Sequence, residues 1–397
     1  MVEERVFIAG AGPVGFSAAA RLLAAGVPVT MFEAGADLNT ESRASTFHPS
    51  TLDMLTEIGS SAPLVEQGLK APKLQYRFGG EGKIAGFDFG DIADLTDHPY
   101  RVQCEQWRLT RVLHEKLKDH PNFEIVFSSP VTGASQDGDG VRVTLESDGR
   151  TTERKARWLI GADGASSIVR RSLEIEFEGF TWPERFLVTS TPFDFLAEIP
   201  DLDPVSYVAD PECWHFLLKI PGLWRVMFPV GATLSDEEAL DPAYGESLLR
   251  RVVPGVTGYE VVHRTLYRVH QRVAKTFRLG RVFLAGDAAH INNPLGGMGM
   301  NGGIHDALNL TSKLLRVRDG EDAALFDAYT RERQPIAVEY VQAQAERNRQ
   351  LLRERDEAVR MAGFRDLQAT AADPARARKF LLRSSMIDSL QKAEAAS

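Results

Sequence analysis

The chain has 397 residues, of which 43% are hydrophobic, so it is long enough for two or three domains with a large core. Its net charge is −9 and its 46 lysines and arginines are scattered, which argues against a nucleic-acid partner. Two cysteines, Cys104 and Cys213, exclude a disulfide framework, and no metal site is predicted. No apolar run is long enough to span a bilayer, and the early glutamates and glycines argue against a secretory signal. We therefore expect a cytoplasmic monomer or homodimer.

The amino terminus has the pattern of a dinucleotide-binding fold. The predicted order is strand, glycine turn, helix and strand, over residues 5–9, 10–15, 16–25 and 27–32. Gly10 should permit the tight turn, Gly12 should let a pyrophosphate approach the backbone, and Gly15 should allow the helix to pack closely on the strand. Glu33 follows the second strand and lies about 20 residues after the glycine turn. An acid at this position binds the ribose hydroxyls of adenosine.

The middle of the chain is rich in predicted strands. Residues 71–103 and 180–270 should form one sheet that covers a substrate. Gly80-Glu81-Gly82 is predicted to be a hairpin turn within the first of these pieces rather than a second nucleotide fingerprint. Residues 123–160 predict an antiparallel meander whose turns lie at Asp137–Gly140 and Asp148-Gly149.

A further hairpin is predicted around Pro221-Gly222. If Ile220 lies opposite Leu223, Arg225 falls on an apolar face, where a lone guanidinium invites an anion. Because Pro-Gly favours a type II turn, the register could instead slip by one residue and reverse the faces. A buried structural ion pair is the alternative role for Arg225. His215 would lie on the opposite face, at the surface.

The densest pattern spans residues 281–310. An apolar strand over 282–285 ends at Gly286-Asp287, which places a carboxylate where a polyol hydroxyl can bind. A loop with Pro294 and several glycines follows, so that backbone N–H groups can approach a flat ligand. A helix from Asn301 onward directs its N-terminus to the same place. The alternative is a strand–loop–helix turn whose glycines serve tight packing, and His290 is predicted to be structural.

The glycine turn near the amino terminus and the distant Gly286-Asp287 stretch together favour FAD. The chain has one glycine fingerprint, and a nicotinamide-dependent dehydrogenase would not explain the distant Gly-Asp stretch. FAD is long enough to be held by its adenosine at residues 10–33 and by its ribityl chain and isoalloxazine ring at residues 287–301.

With these motifs, residues 1 to about 345 resemble the class A, single-component flavoprotein aromatic hydroxylases, the group of para-hydroxybenzoate and salicylate hydroxylases. Asp163, in Gly161-Ala-Asp163-Gly164, is similar to the family's Asp-Gly motif, which is associated with FAD and NAD(P)H. Arg43 and Gln106 stand where the family carries an arginine and a glutamine near FAD. Without the resemblance, Arg43 would as well be an ordinary surface salt-bridge residue, and Gln106 an ordinary side chain at the start of a helix. Pattern and resemblance together imply these FAD contacts: Gly10, Gly12, Val14, Gly15, Glu33, Ala34, Arg43, Gln106, Asp163, Asp287, Gly299, Met300 and Asn301.

The resemblance implies an α/β fold. A Rossmann-like FAD-binding domain of three layers (ββα) would be interleaved with a β-sheet substrate domain and followed by C-terminal helices. The FAD-binding domain would comprise residues 1–70, 101–180 and 271–322. The substrate domain would comprise residues 71–100 and 181–270, and the C-terminal helical region residues 323–397, in which Tyr329, Glu332, Arg333 and Pro335 resemble the helix that follows the flavin loop in the family.

The resemblance also implies an activity. It is that of a monooxygenase that uses NADH or NADPH and O2, via a flavin hydroperoxide, to hydroxylate a small phenolic or acidic aromatic or heteroaromatic compound. Pro294 would border the reacting oxygen, amides near Met300 and Asn301 would stabilise the reduced ring, and Arg225 would bind the substrate. The alternatives are a flavin halogenase, a flavoprotein reductase or dehydrogenase, and a non-enzymatic FAD-binding redox sensor. The halogenase is disfavoured because the chain lacks a Trp-x-Trp-x-Ile-Pro pattern.

Overall fold

The computed structural model describes residues 4–41, 43–79, 81–147, 149–342 and 350–396, with side chains up to residue 339 in the fourth range. Gly80 and Asp148, which belong to turns predicted above, and Ser42, which precedes Arg43, lie outside the described residues. The strands are β1 Val6–Ala9, β2 Val29–Phe32, β3 Thr46–Phe47, β4 Leu69–Ala71, β5 Lys73–Phe78, β6 Gly82–Asp88, β7 Arg101–Gln103, β8 Phe123–Val126, β9 Val131–Gln136, β10 Val141–Ser147, β11 Arg150–Ala156, β12 Trp158–Gly161, β13 Phe177–Thr191, β14 Val205–Ala209, β15 His215–Ile220, β16 Leu223–Val230, β17 His263–Ala274, β18 Arg278–Leu279, β19 Val282–Leu284 and β20 His290–Ile291.

The helices alternate with these strands and then dominate the C-terminal part. They are α1 Pro13–Ala24, α2 Pro49–Glu57, α3 Ser61–Gln67, α4 Gln106–Leu117, α5 Ile168–Ser172, α6 Phe195–Glu198, α7 Asp236–Leu240, α8 Pro242–Val252, α9 Met298–Arg318, α10 Leu325–Ile336, α11 Glu357–Ala372, α12 Pro374–Ser384 and α13 Ile387–Ala395. Short 3₁₀ turns lie at Phe89–Ile92 and Gly286–Ala288, and α10 runs into a π-helix over Ala337–Gln342.

A parallel sheet forms the centre of the nucleotide-binding half. Its strand order is β18-β19-β12-β1-β2-β8, and only the edge strand β18 pairs antiparallel. The short strands β1, β2 and β12 are buried along their whole length, as expected for a sheet covered on both faces. Helices α1 and α9 pack together beside this sheet, while Arg154 of the β9–β11 meander lies over the rings of Phe7 and Phe32. This confirms the predicted three-layer α/β fold.

Element boundaries differ from the sequence predictions in specific ways. Helix α1 begins at Pro13 rather than residue 16, because proline is well suited to the first helical position after Gly12. Helix α9 begins at Met298 rather than Asn301, because Gly297 adopts a left-handed conformation (φ +66°) directly before it. Within residues 123–160, β9–β11 form the predicted meander, but β8 and β12 join the central parallel sheet.

A second, eight-stranded sheet has the order β20-β17-β13-β16-β15-β14-β5-β6. The parallel pairing of β14 with β5 joins the two strand-rich pieces of sequence into one sheet. Strands β5 and β6 form the predicted hairpin. Strands β13 and β17 run across the predicted domain limits at 180/181 and 270/271, and the domain division remains a prediction.

The register of the β15–β16 hairpin is the one drawn from the sequence. Ile220 pairs with Leu223, and Arg225 pairs with Leu218. Gly222 has φ +77°, the value that the third position of a type II turn requires, so the Pro-Gly turn closes without a slip. Arg225 therefore lies on the face of the sheet that carries Leu218 and Met227.

The predicted surface position of His215 is wrong. This side chain lies on the face opposite Arg225, but it is only 5% exposed and packs against Phe228. Helices α6–α8 cover that face, with Phe195, Ala239 and Leu249 in the same apolar cluster as Phe228. Burial lowers the pKa of His215. Alternation along the strand located the face but not the helices that cover it.

A fully buried carboxylate, Asp306 of α9, connects several elements. Its Oδ2 accepts hydrogen bonds from the Gly286 amide (3.2 Å) and from His290 Nε2 (2.7 Å). Its Oδ1 accepts one from Arg333 Nε of α10 (2.8 Å). Burial raises the pKa of Asp306, but the charges and hydrogen bonds of His290 and Arg333 outweigh burial and hold the pKa at about 2. We call these four residues, Gly286, His290, Asp306 and Arg333, the Asp306 cluster.

We predict that Arg333→Met destabilises the protein by about 3–5 kcal/mol, because the Asp306 charge loses its arginine partner while it stays buried. The measurement is the thermal unfolding midpoint of the purified protein. Arg316→Met is the control, since Arg316 pairs with Glu321 at the exposed end of α9 and its loss should change stability little. Equal midpoints for the two variants would contradict the role given to the Asp306 cluster.

Candidate functional site

The glycine turn after β1 contains two glycines that the fold itself requires. A Cβ at Gly10, where φ is +100°, would lie 2.4 Å from the carbonyl oxygen of Ala162. A Cβ at Gly15 would lie 2.2 Å from the carbonyl oxygen of Gly10. A Cβ at Gly12, in contrast, would meet no protein atom within 4 Å. Gly12 therefore faces open space, as expected where a pyrophosphate approaches the backbone.

Glu33 lies beside this turn. Its carboxylate accepts hydrogen bonds from the backbone amides of Ala11 (2.8 Å) and Gly35 (2.9 Å). These two bonds fix the acid at the end of β2, next to the N-terminus of α1. Ala34 is exposed beside it. The arrangement matches the place where an adenosine ribose binds in a dinucleotide fold.

Val14 brings the glycine turn against the distant Gly-Asp motif. A Cβ at Gly286 would lie 2.8 Å from Val14 Cγ2, and a Cβ at Gly303 would lie 2.7 Å from the same atom. Gly286 also has a positive φ of +62°. Glycine at both positions lets the Val14 side chain pack between the Gly-Asp turn and α9. Residues 10–15 and 286–303 therefore form one site.

Asp287 lies at this junction. Solvent reaches the Asp287 side chain, but protein atoms surround it, as at the bottom of a cleft. This burial raises the pKa of Asp287, and the charges of His290 and Arg43 oppose the shift. A carboxylate in such a position is suited to accept hydrogen bonds from the hydroxyls of a polyol.

Residues 43–45 form a strap at the edge of the same cleft. The Gln106 side chain accepts a hydrogen bond from Ala44 N (3.4 Å), and the backbone N–H of Gln106 donates to Ala44 O (2.9 Å). The Arg43 side chain is exposed and pairs with Glu41. Arg225 Nη1 donates to Arg43 O (2.9 Å) and to Ser45 Oγ (3.0 Å). Gln106 and Arg225 thus hold the strap that carries Arg43.

Asp163 makes contacts of a structural kind. It accepts hydrogen bonds from Ser167 Oγ (2.5 Å) and from Val169 N (3.1 Å), which cap the N-terminus of α5. Arg170, in the same motif, donates to Ala288 O (2.7 Å). The Asp-Gly motif is therefore attached to the Gly-Asp motif, while a contact between Asp163 and FAD remains a prediction.

The loop before α9 is fixed by Asn301. This fully buried side chain donates to Thr46 O (2.8 Å) and Gly297 O (2.6 Å), and it accepts from His48 N (3.0 Å). The Asn301 side chain therefore holds the loop, and only its backbone can face a ligand. Pro294 is exposed, and its carbonyl accepts from Gly297 N (3.0 Å).

The first turn of α9 is tightly packed. A Cβ at Gly299 would lie 2.8 Å from Asn292 Oδ1, and Met300 is half-buried. The N-terminus of α9, with its partial positive charge, faces the end of this loop.

Sequence reasoning missed His48. Its Nε2 lies 3.0 Å from Gly296 O and 3.2 Å from Gly297 O, so the ring sits directly under the loop that carries Pro294. Burial lowers the pKa of His48 well below its ordinary value. A histidine followed by a helix-starting proline has no spacing signal that connects it to a loop some 250 residues away.

Sequence reasoning also left the aromatic surface of the second sheet unplaced. Tyr76, Tyr207 and Phe216 lie on three neighbouring strands, and their rings are stacked with centroids 5.1 and 5.6 Å apart. Leu295 of the loop belongs to the same apolar cluster, and Phe380 of α12 meets Tyr76 edge to face at 6.3 Å. The C-terminal helices therefore close this aromatic row, which lies next to the loop.

The chain is similar to known flavoproteins in sequence and fold. The family model described as "FAD binding domain" matches residues 3–344, and the chain belongs to that family, the class A flavin-dependent monooxygenases. It is 34% identical over 385 residues to a para-nitrophenol 4-monooxygenase from a Pseudomonas strain, which covers 96% of this chain and 94% of the relative. It is 35% identical over 351 residues to 6-hydroxy-3-succinoylpyridine 3-monooxygenase of Pseudomonas putida, covering 87% and 88% of the two chains.

A solved structure agrees over nearly the full length. The crystal structure of p-nitrophenol 4-monooxygenase from Pseudomonas putida matches with a TM-score of 0.92 and 32% identity, over 98% of each chain. In the described part of this chain, no helix has the length and apolar character needed to cross a membrane.

The residues present fit FAD. Glu33 lies beside the glycine turn that contains Gly12, and the packing of Val14 against Gly286 and Gly303 brings this turn to Asp287 and α9. The absence of a Cβ at Gly12 matters only if a ligand approaches there, because no protein atom does. Together with the position of Gly12 directly before the N-terminus of α1, this open space supports pyrophosphate binding.

We predict that Gly12→Ala weakens FAD binding by about 1.5–3 kcal/mol, because its Cβ displaces the pyrophosphate from charge-assisted amide contacts. The stability of the FAD-free protein should not change. Gly15→Ala should destabilise the protein even without FAD, because its Cβ overlaps Gly10 O. FAD content and the thermal midpoint of the FAD-free protein measure the two effects, with Gly138→Ala in an open turn as control. An unchanged FAD affinity in Gly12→Ala would contradict this placement.

Proposed function

We propose that this FAD-dependent aromatic monooxygenase hydroxylates a small phenol that carries an electron-withdrawing or acidic substituent. The observation that carries this proposal is the stacked row of Tyr76, Tyr207 and Phe216, which belongs to the same apolar cluster as Leu295 of the loop beside Pro294. A flat apolar surface of this kind suits a single aromatic ring. The relatives named for para-nitrophenol and for a hydroxylated succinoylpyridine support this substrate class.

In this proposal, the chain's own residues bind and orient the cofactor and the substrate. When bound, FAD supplies the transfer of electrons from NADH or NADPH to O2 and of one oxygen atom to the ring. Gly12 and Glu33 would hold its pyrophosphate and adenosine, and Asp287 its ribityl chain. The N-terminus of α9, with the amides of Met300 and Asn301, would stabilise negative charge there. Pro294 would border the reacting oxygen.

The C-terminal helices would exclude water from the reaction. Phe380 stacks on Phe87 with ring centroids 3.9 Å apart and packs against Tyr76, and Leu381 is fully buried in the same cluster. An apolar cover of this kind strengthens electrostatic interactions inside the site and protects a reactive oxygen species from solvent. The predicted C-terminal helical region thus has a place in the site.

Arg225 has two possible roles that differ in their consequences. Its contacts with Arg43 O and Ser45 Oγ support a role in holding the strap, and burial lowers its pKa against the favourable influence of Tyr267. A contact between Arg225 and the substrate remains a prediction. Arg225→Met separates the roles, because loss of the strap lowers FAD content, whereas loss of a substrate contact weakens substrate binding at constant FAD content.

We also propose a reducing, cytoplasmic environment. Cys104 and Cys213 are both buried as free thiols, and burial raises their pKa to about 12 and about 11. Neither thiol is suited to oxidation or metal binding.

We predict that NAD(P)H oxidation by the FAD-loaded protein is slow alone and is accelerated by 4-nitrophenol. The chain has one dinucleotide turn, at residues 10–15, so the nicotinamide has no permanent place beside the flavin and must wait for a transient alignment. The measurement is NADH and NADPH consumption with a panel of phenols and aromatic acids, and benzene without substituents is the control. Equal rates with and without every compound, and no oxygenated product, would favour a sensor, a reductase or an oxidase.

A further inference from the structure

Arg101 of β7 is a buried cation that has no acidic partner among the described residues. Its side chain is 2% exposed, Nη2 donates to Ser384 O at 3.2 Å, and the guanidinium lies 5.3 Å from the Phe89 ring centroid. In the part of the chain that the structure describes, no carboxylate lies within 4.0 Å of it, and Nε has no hydrogen-bond partner. Burying a cation in this way costs free energy unless an anion or dipole compensates for it.

Other buried arginines have more compensation than Arg101. Arg225 donates to Arg43 O and Ser45 Oγ, and Arg77 donates to Asp201 O with the charges of Asp201 and Asp203 nearby. Arg333 pairs with Asp306, and Arg170 donates to two backbone carbonyls and lies over the Phe177 ring at 3.7 Å. Arg185 pairs with Asp236. Arg101 differs from them because its contacts among the described residues are one carbonyl and one aromatic ring. Nε of Arg101 is therefore a buried donor that the described part of the chain leaves unsatisfied.

His48 lies opposite Arg101. Strands β3 and β7 pair Thr46 with Gln103 and Phe47 with Val102, so the same antiparallel register places His48 across from Arg101, on one face. Because His48 Nε2 faces two carbonyl oxygens, that nitrogen carries the proton and Nδ1 is an acceptor. Nδ1 is buried and has no partner among the described residues. The positive charge of Arg101 adds to burial in lowering the pKa of His48, which agrees with their closeness.

Through its two members, this pair contacts both the loop that carries Pro294 and the apolar cluster of the aromatic row. His48 is bonded to the loop that follows Pro294, and Arg101 contacts Phe89, a member of the apolar cluster that contains Tyr76 and Leu295. The positive charge of Arg101 opposes the effect of burial on the pKa of Tyr76, which agrees with a position near the aromatic row. A phenolic hydroxyl is at once a donor and an acceptor, so it can satisfy Nδ1 and Nε together, whereas a carboxylate or nitro group can satisfy only the arginine.

We propose that Arg101 and His48 bind the phenolic oxygen of the substrate. Arg101 Nε donates to the oxygen, and the hydroxyl donates to His48 Nδ1. This inference rests on the proposed function and names the group that selects a phenol over other aromatic rings. An acceptor at the hydroxyl proton and a cation at the oxygen both favour phenolate character, which makes the ring richer in electrons.

The test compares two ligands of similar size that differ in the hydroxyl. Oxidised, FAD-loaded protein is titrated with 4-nitrophenol and with nitrobenzene, and binding is followed by the change in flavin absorbance. Wild-type protein should bind 4-nitrophenol about 30-fold or more tightly than nitrobenzene, because the hydroxyl completes a buried pair. Arg101→Met should bind the two ligands almost equally, with unchanged FAD content, since methionine keeps the apolar stem. Arg101→Lys, which keeps the charge, should restore part of the preference.

The matched control is Arg378→Met, because Arg378 is an exposed arginine of α12 that pairs with Asp94. It should keep the wild-type preference. Wild-type protein that binds both ligands equally would overturn the proposal whatever the variants do, and so would an Arg101→Met protein that folds and keeps the preference. Product analysis with wild-type protein separates this result from the proposed function. A phenol that is hydroxylated without a hydroxyl preference refutes only the Arg101–His48 pair, and the absence of any oxygenated product refutes the proposed function.

Discussion

Asp306 is a fully buried carboxylate that determines where the most distant parts of the site meet. It binds the amide of Gly286 and the ring of His290 on one side and the guanidinium of Arg333 on the other. The turn that presents Asp287 is thereby attached to α9, and α9 to α10. Because a buried charge is costly unless it is fully paired, these bonds form together or not at all. The position of the Asp287 carboxylate thus depends on a helix that is not part of the cofactor site.

The rest of the site is assembled by close contacts onto that fixed turn. Val14 packs into the space left by Gly286 and Gly303, which sets the amino-terminal glycine turn against the Gly-Asp motif. Asn301 ties the loop before α9 to Thr46, and His48 supports the same loop from below. The strap at residues 43–45 is held between α4 and the second sheet. These contacts attach the adenosine end of the site to the loop before α9.

The sequence could predict the elements whose signals are local. The glycine turn, Glu33, the Gly-Asp motif and the β15–β16 register each depend on residues close together in the chain, and the structure places them as expected. The Arg101–His48 pair could not be predicted, because it arises from strands that meet across the fold and from a loop some 250 residues further on. Burial of His215 was missed for a related reason, since alternation identifies a face but not the helices that cover it. The aromatic row likewise needs the parallel pairing of β5 with β14, which no local pattern specifies.

The central claim is that this chain transfers one oxygen atom from O2 to an aromatic ring. Turnover of 4-nitrophenol under oxygen-18 gas in ordinary water, followed by mass spectrometry of the product, tests it most directly. The account predicts one labelled oxygen atom in the hydroxylated product, and no label when oxygen-18 water and ordinary O2 are used instead. A product labelled only from water, or NAD(P)H consumption with no labelled product from any of the phenols tested, would contradict the assignment as a monooxygenase.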